Sequence, residues 1–365
     1  MAQKVVILGA GIVGAAIAYE LSLQSEFDVT LLDTNQPAQG STGAALGVLM
    51  SIISRKTKGR AWQLRRRSTT RFPELFQELA EAGYPVPHNN QGILKLFDAD
   101  TDLTKLERLQ QKRHDAGWQL ELWDQQTIND KCPDITQHIA AGAVYSPQDW
   151  QVQPVSFARS LLNAATDNGV QCHFEIPTPT LNFNNQKCEE VMVGDRQFPC
   201  DWLIVSAGLG SLDITKPLLD EFNMKPVLGQ AFHVKIPDWQ KPDFNPVISY
   251  NDIHVVPLGA GEFWVGATVE FPNEEGLSVV DDILREDMWE RAIAFYPALK
   301  NAEILKYWSG QRPRPEGQGA PVLKPLQGFQ NILLATGHYR NGVLLAPATA
   351  LQIRDWLLAP ETIPF

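Results

Sequence analysis

A glycine-rich turn near the start of the chain constrains the fold more than any other feature. Residues 4–14 read KVVILGAGIVG, an apolar strand that runs directly into the pattern G-x-G-x-x-G at Gly9, Gly11 and Gly14. A helical pattern follows, and the next apolar strand ends at Asp33. In such a unit the glycines permit a tight turn, close approach to a pyrophosphate and close packing of helix on strand. The sequence therefore predicts a bound dinucleotide, with a glycine-rich core turn as the alternative.

The spacing of Asp33 supports the first interpretation. Asp33 lies nineteen residues after Gly14, at a position where a carboxylate can hold ribose hydroxyls. The helical pattern at 15–21 follows directly, and the N-terminus of this helix offers free N–H groups and a positive dipole end to phosphates.

Composition and charge limit the classes of partner. With 365 residues the chain can form one large or two medium domains, and 44% hydrophobic and 20% charged residues are ordinary for a globular protein. The net charge of −11 argues against a nucleic-acid partner. The basic cluster Arg65–Arg67 with Arg71 is interpreted as the solvated face of a helix.

Neither a membrane span nor a metal site is expected. No apolar run approaches eighteen residues. Because the first strand begins at Lys4, we expect no signal or transit peptide. The four cysteines form no C-x-x-C pair, so we expect reduced thiols in a cytoplasmic protein.

The hydrophobic periodicity predicts an α/β protein with two domains. Predicted helices cover 61–82, 101–117, 154–168, 281–295 and 343–358; predicted strands cover 92–97, 170–174, 202–208, 229–235, 253–256, 262–266 and 331–337. We assign 1–80, 150–220 and 325–365 to a Rossmann-type dinucleotide domain with a parallel sheet. Residues 81–149 and 221–324 are assigned to a substrate-binding domain with an antiparallel sheet. This interleaving predicts a ligand between the domains.

The number of glycine fingerprints indicates which dinucleotide binds. A flavoprotein that also uses NADPH would carry a second fingerprint, but 208–210 is too short and 259–261 lacks the third glycine. An NAD enzyme would typically show an acid/base arrangement of His or of Tyr and Lys. A single N-terminal fingerprint with a distant glycine-closing strand favours FAD, with electrons supplied by a substrate.

Several motifs are similar to one known family. The small-residue stretch GSTGAALGVL (40–49) resembles that of the D-amino acid oxidase superfamily, and GHYRNGVLLAPAT (337–349) resembles its glycine oxidase branch. The run SGQRP (309–313) resembles the G-x-R-P stretch of that branch, and Gln153-Pro154 before a helix also matches. The resemblance extends from residue 4 to about 357 and includes the sarcosine oxidases.

The resemblance and the fingerprint together imply a set of residues that hold FAD. This set is Gly9, Gly11, Ile12, Val13, Gly14, Asp33, Thr34, Ser41, Thr42, Ala45, Leu46, Gly47, Val48, Thr180, Ala207, Gly208, Gly337, His338, Arg340, Asn341, Gly342, Val343 and Leu344. The covalent-flavin sarcosine oxidases carry a cysteine near the arginine–proline region. Because none of the four cysteines is near Arg312 in sequence, we expect non-covalent FAD.

The resemblance also implies oxidation of an amine that carries a carboxylate, by hydride transfer to the flavin. The imine is then hydrolysed to a 2-oxo acid and ammonia or an amine. Arg312 is predicted to anchor the carboxylate, with a surface arginine, or Arg314 in its place, as alternatives. Arg340 is predicted near the substrate and the flavin edge. His254 stands where relatives carry a tyrosine, and Tyr250 is a candidate to supply the hydroxyl instead.

The substrate and the electron acceptor stay open at this point. Glycine, sarcosine and a small D-amino acid are the candidate substrates, with oxygen as the acceptor and hydrogen peroxide as product. A dehydrogenase of the same fold, which reduces a quinone or carrier protein, is the alternative. A third hypothesis is an FAD-binding modification or sensor domain without turnover, which the presence of a carboxylate anchor disfavours. A homo-oligomer is compatible with the sequence, which has no signal for an oligomeric state.

Overall fold

The computed structural model describes residues 1–216, 218, 223–240 and 242–364. In these ranges the strands are β1 (Gln3–Leu8), β2 (Phe27–Leu32), β3 (His88–Asn89), β4 (Ile93–Phe97), β5 (Glu121–Trp123), β6 (Gly142–Ser146), β7 (Gln151–Val152), β8 (Gln171–His173), β9 (Thr180–Asn184), β10 (Lys187–Val193), β11 (Arg196–Pro199), β12 (Trp202–Val205), β13 (Met224–Lys235), β14 (Val247–Tyr250), β15 (Ile253–Gly259), β16 (Glu262–Gly266), β17 (Glu303–Pro315), β18 (Val322–Pro325) and β19 (Ile332–Thr336). The α-helices are α1 (Ile12–Ser22), α2 (Gly59–Glu81), α3 (Leu103–Asp115), α4 (Gln125–Lys131), α5 (Pro154–Asp167), α6 (Ser211–Thr215), α7 (Asp282–Phe295) and α8 (Gly342–Leu358).

The first large sheet has six strands in the order β18-β19-β12-β1-β2-β8. All neighbouring pairs are parallel except β18 with β19. Alternate residues of β1 face two different cores. Val5 and Ile7 pack with helices α1, α2, α5 and α8, and Val6 and Leu8 pack against the small antiparallel sheet β11-β10-β9. Burial on both faces explains why β1 and β12 are almost continuously apolar.

The second large sheet has eight strands in the order β17-β13-β16-β15-β14-β4-β6-β5. One of its faces packs on α7, through residues such as Phe232 and Phe263. Its other face carries Ala231, Val256 and Trp264 and packs against the segment after β2, which includes Leu46 and Ile52. The sheet was expected to be antiparallel, but β14 pairs with β4 in parallel, so the sheet is mixed.

The predicted fold class, α/β with two domains, is confirmed. The predicted helices form with ends that differ by at most two residues, because side-chain periodicity marks the buried face better than the terminal turns. The sequence patterns missed β17, the longest strand, and the sheet of β9–β11. The boundary predicted between 220 and 221 lies outside the described residues, and the one predicted at 325 cuts through β18, which belongs to the six-stranded sheet.

The basic cluster on α2 is only partly a solvated face. Arg65 and Arg71 are each 9% exposed. Arg71 forms an ion pair with Glu20 (2.8 Å), which ties α2 to α1, and a second one with Glu78 (2.6 Å) within α2. The interpretation of all four arginines as solvated is therefore wrong, since two of them face the helix layer.

Candidate active site

A cavity of about 1000 Å³ lies where the carboxyl ends of the parallel strands meet the eight-stranded sheet. Leu8 and Leu32, the last residues of β1 and β2, form part of one wall, and Ala231 and Trp308 form part of the opposite wall. Ligands of open α/β sheets bind at this edge of the sheet. Most of the predicted cofactor residues line the cavity: Gly9, Gly11, Ile12, Val13, Asp33, Thr34, Ser41, Thr42, Ala45, Leu46, Gly47, Val48, Ala207, Gly208, Gly337, His338, Arg340, Gly342, Val343 and Leu344.

The glycine fingerprint has two structural roles here. Gly9 has φ of 108°, which favours glycine, and a Cβ on it would lie 2.7 Å from Ala207 Cα. A Cβ on Gly14 would lie 1.9 Å from the Gly9 carbonyl oxygen. Gly14 does not line the cavity, so its role is close packing of α1 on β1, whereas Gly9 and Gly11 face the cavity.

Asp33 holds the turn and leaves acceptor capacity toward the cavity. One of its carboxylate oxygens accepts from the Ala10 N–H (2.6 Å) and the other from the Asn35 N–H (2.8 Å). Each carboxylate oxygen has a further lone pair, which a ribose hydroxyl can use. The start of α1 is fixed from the other side by Thr42, whose Oγ1 accepts from the Ile12 N–H (3.0 Å).

The segment 40–48 passes between the two sheets and links them. Ser41 Oγ donates to the Gln311 carbonyl (2.7 Å), and Trp308 Nε1 donates to the Ala44 carbonyl (3.1 Å). Gly47 has φ of 69°, and a Cβ there would lie 1.9 Å from the Val152 carbonyl oxygen. Small residues are therefore required for the chain to pass, as the sequence pattern predicted.

Two other predicted cofactor residues lie off the cavity wall. Thr180 begins β9, whereas Thr178 and Pro179 line the cavity, so the contact segment lies one to two residues earlier than predicted. Asn341 precedes α8 and accepts a hydrogen bond from Arg65 Nη2 (3.1 Å). Asn341 thus fixes the helix start from behind, while Gly342 and Val343 face the cavity.

Arg312 extends from β17 into the cavity. Its guanidinium donates to the Leu228 carbonyl (2.9 Å) and the Thr268 carbonyl (3.2 Å). Burial lowers the pKa of Arg312, and the positive charge of Arg340 lowers it further. Among the described residues no carboxylate forms an ion pair with Arg312. Arg314, the alternative candidate, is exposed and stacks on Phe271 outside the cavity.

Arg340, Asp252 and His254 meet on the side of the cavity formed by the eight-stranded sheet. Arg340 Nη2 lies 3.4 Å from an Asp252 carboxylate oxygen, and all three residues line the cavity. Burial lowers the pKa of His254 to about 4, and the nearby Arg340 acts in the same direction. His254 is therefore neutral near pH 7, and its buried Nδ1 has no hydrogen-bond partner among the described residues.

Tyr250 is not part of this group. Its hydroxyl bonds Asp98 and the Ile139 carbonyl, and the residue does not line the cavity. Tyr250 and His254 lie on opposite sides of the tight turn at 251–252, so the chain reverses between them. The prediction that Tyr250 supplies a hydroxyl at the place of His254 is therefore wrong. Because a hairpin turn separates Tyr250 from His254, the two side chains do not occupy equivalent positions.

Several site residues were not anticipated from the sequence. These are Asp252, in the turn between β14 and β15, and Trp264, Trp308 and Gly229, on strands of the eight-stranded sheet. The sequence held one signal for Asp252, the pair Asn251-Asp252, because Asn and Asp favour two-residue turns. In the structure both residues have positive φ in the turn between β14 and β15. The tryptophans carry no such signal, because only strand pairing brings them to the cavity.

Comparison with known proteins agrees with this geometry. The family model of FAD-dependent oxidoreductases (DAO) matches residues 4–356. The chain belongs to this FAD-dependent oxidoreductase family. It is 30% identical to the bifunctional protein ThiO/ThiG of Synechocystis over 99% of this chain and 52% of that protein, so the chain spans about half of that relative. It is 26% identical to glycine oxidase of Geobacillus kaustophilus, over 98% of this chain and 93% of that protein.

Solved structures have the same fold. Glycine oxidase of Bacillus cereus superposes with a TM-score of 0.86 at 22% identity, covering 98% of this chain and 95% of that one. The Geobacillus kaustophilus enzyme superposes with a TM-score of 0.85 at 24% identity, covering 99% and 98%. The protein is therefore an FAD-dependent oxidoreductase with the two-domain fold of these enzymes.

The residues present fit FAD. Gly9 and Gly11 place no side chain of their own in the cavity, and Gly208, where a Cβ would meet nothing within 4 Å, opens onto the same space. The carboxylate of Asp33 and the hydroxyls of Ser41 and Thr42 supply polar contacts at the ADP end. Among the described residues, no set of His, Cys, Asp and Glu is placed to hold a metal ion, and no helix is long and apolar enough to cross a membrane.

Proposed function

We propose that the enzyme oxidises a small amino acid or secondary amine, such as glycine, sarcosine or a D-amino acid. The products are an imine, then a 2-oxo acid and ammonia or an amine. The observation that carries this proposal is Arg312, a half-buried guanidinium fixed by two backbone carbonyls and open to the cavity. A planar guanidinium in such a position suits a carboxylate, which would relieve the cost of its burial.

The chain's own residues position the substrate and the cofactor. Arg312 binds the carboxylate, and Arg340 with Asp252 closes the opposite side of the substrate space. His254, being neutral, adds no charge next to an amine that must also be neutral to react. Bound FAD supplies the hydride acceptor, and this chain needs no general base in addition.

We propose that FAD is held by the cavity-lining residues from the fingerprint, the 40–48 segment and the 337–344 loop. The N-terminus of α8, at Gly342 and Val343, offers N–H groups to the flavin end of the cavity, where negative charge develops on reduction. Binding is non-covalent, because the free cysteines do not line the cavity. The locations of the domains' boundaries, a cytoplasmic setting and a homo-oligomer remain predictions.

An anaerobic panel of amino acids, scored by bleaching of the flavin absorbance, tests the proposal. We expect at least one glycine-type or D-amino acid substrate to bleach the flavin, while the L-enantiomers do not. If no amino acid or amine reduces the enzyme, the proposal fails and a non-catalytic FAD protein is favoured.

The acceptor is tested separately. We propose oxygen, so re-admission of air should restore the flavin colour and release hydrogen peroxide. A dehydrogenase would instead reoxidise slowly in air and rapidly with an artificial quinone acceptor.

A further inference from the structure

A lysine lies on the cavity face of the eight-stranded sheet. Lys95 of β4 is in register with Ser249 of β14, which is in register with His254 of β15. On that face its neighbours along the strands are apolar, as Ile93 and Val247 belong to the buried core. A half-buried lysine in such a surface is unfavourable unless its charge has a partner.

Lys95 does not itself line the cavity, but it lies two strands from His254, which does. Neighbouring strands lie about 4.8 Å apart, so the backbones of Lys95 and His254 are about two strand spacings apart. Between them stands only the small residue Ser249, which is 1% exposed. Lys95 is close enough to Asp252 and Arg340 for their charges to act on it, and burial lowers its pKa.

Positive charge exceeds negative charge at this end of the cavity. Arg340 lies 3.4 Å from Asp252, which therefore compensates one cation. Among the described residues, the side chain of Lys95 has neither a hydrogen-bond partner nor an ion-pair partner. Arg312 has hydrogen bonds to carbonyls but, among the same residues, no ion pair. A substrate with a single carboxylate would satisfy Arg312 and leave the second cation uncompensated.

Resting on the function proposed above, we propose that Lys95 and Arg340 form a second anion-binding site, and that the substrate is an amine with two acidic groups. One carboxylate binds Arg312, and the other binds on the Lys95 side. The space between them is kept open by small residues, because the row that continues from His254 across the sheet is Gly266 and then Ala231. These two positions hold no side chain larger than a methyl group.

Binding of acids to the FAD-loaded enzyme tests this site without turnover. Succinate and butyrate have chains of equal length but two and one carboxylates, and their dissociation constants can be measured from perturbation of the flavin absorbance. We expect succinate to bind the unmodified enzyme at least tenfold more tightly, the effect of one charge-assisted hydrogen bond. Equal affinity, or no binding of succinate, would overturn the proposal.

Variants assign the preference to Lys95. Lys95→Met preserves the length and packing of the side chain and should bring the succinate preference close to one, with butyrate binding unchanged. Lys95→Arg should retain most of the preference. Lys235→Met is the matched control, since Lys235 is an exposed lysine at the end of β13 in the same sheet, whereas Lys95 is half-buried. A succinate preference that survives Lys95→Met contradicts the assignment.

Turnover assays distinguish a failure of the second anion-binding site from a failure of the proposed function. Iminodiacetate and D-aspartate should be oxidised with a kcat/KM at least tenfold above that of sarcosine and D-alanine, and Lys95→Met should abolish the difference. If monocarboxylate amines reduce the flavin equally well and succinate binds no better than butyrate, the amine oxidase stands and the second site does not. If succinate binds through Lys95 but no amine reduces the flavin, the site stands and the proposed function fails.

Discussion

Gly229 lies directly against the guanidinium of Arg312, so close that a Cβ on Gly229 would be 2.2 Å from Arg312 Nη2. Gly229 lies on β13 and Arg312 on the neighbouring strand β17, and the two residues are displaced by two positions in the strand register. The absence of a side chain at 229 is therefore what allows the guanidinium to lie flat on the sheet and bond the Leu228 carbonyl.

Gly229→Ala should displace Arg312 without unfolding the sheet. We expect the KM for the reducing substrate to rise roughly tenfold, the loss of about one charge-assisted hydrogen bond, while the FAD content of the purified protein is unchanged. Gly319→Ala is the control, since a Cβ there meets nothing within 4 Å and Gly319 does not line the cavity. An unchanged KM in Gly229→Ala would mean that the position of Arg312 does not matter to the substrate.

Arg312→Ala should weaken substrate binding more strongly than Gly229→Ala. Loss of a bidentate partner for a carboxylate is expected to raise KM by roughly two orders of magnitude, or about 3 kcal/mol, with FAD still bound. Arg314→Ala is the matched control on the same strand, because Arg314 lies outside the cavity and stacks on Phe271. Steady-state kinetics of both variants on one substrate decide the matter, and equal effects would refute the assignment of the anchor.

Asp33→Ala should reduce retention of FAD. Removal of the carboxylate loses the bond from the Ala10 N–H and the acceptor for a ribose hydroxyl, so the dissociation constant for FAD should rise about 10- to 100-fold. Titration of the apoprotein with FAD, followed by flavin fluorescence, measures it. Asp33→Asn should be intermediate, and Asp28→Ala, an exposed acid on the same strand, should have no effect. Full FAD affinity in Asp33→Ala would place the ribose contact elsewhere.

Stability should fall as the solution becomes acidic, partly through His338. Burial lowers the pKa of His338 from 6.5 to about 3, so the folded protein keeps this ring neutral while the unfolded chain protonates it. Its contribution to stability is therefore complete above pH 6.5 and is lost as the pH falls toward 3. Because only the unfolded chain takes up this proton, the free energy of unfolding should drop by about 2 kcal/mol between pH 6.5 and 5.

The variant His338→Gln should show a shallower pH dependence. Glutamine keeps a partner for Thr349 Oγ1, which lies 2.9 Å from His338 Nε2, but it does not titrate. Urea unfolding of the holoenzyme at fixed FAD concentration, at pH 7 and pH 5, gives the two slopes. The control His138→Gln changes an exposed histidine and should keep the pH dependence of the unmodified protein. If the unmodified protein and both variants have the same pH dependence, His338 is not the cause.

Local patterns in the sequence were sufficient for the dinucleotide end of the site. Gly9, Gly11 and Asp33 lie within one βαβ unit, where consecutive elements are neighbours in space, so their spacing alone determines their arrangement. The five helices predicted after residue 60 form to within two residues, because local hydrophobic periodicity marks their buried residues. The family resemblance added Arg312 and Arg340, which no local pattern would have joined.

The substrate end was decided by the tertiary structure. Tyr250 and His254 are four residues apart, yet a tight turn puts one in the cavity and the other against Asp98. Lys95 and Arg312 are more than two hundred residues apart and share one face of one sheet. Strand order and register set these positions, and both depend on pairings between distant segments. The amino-acid sequence by itself therefore determined that the protein binds FAD, while only the folded sheet decided which charges face the cavity.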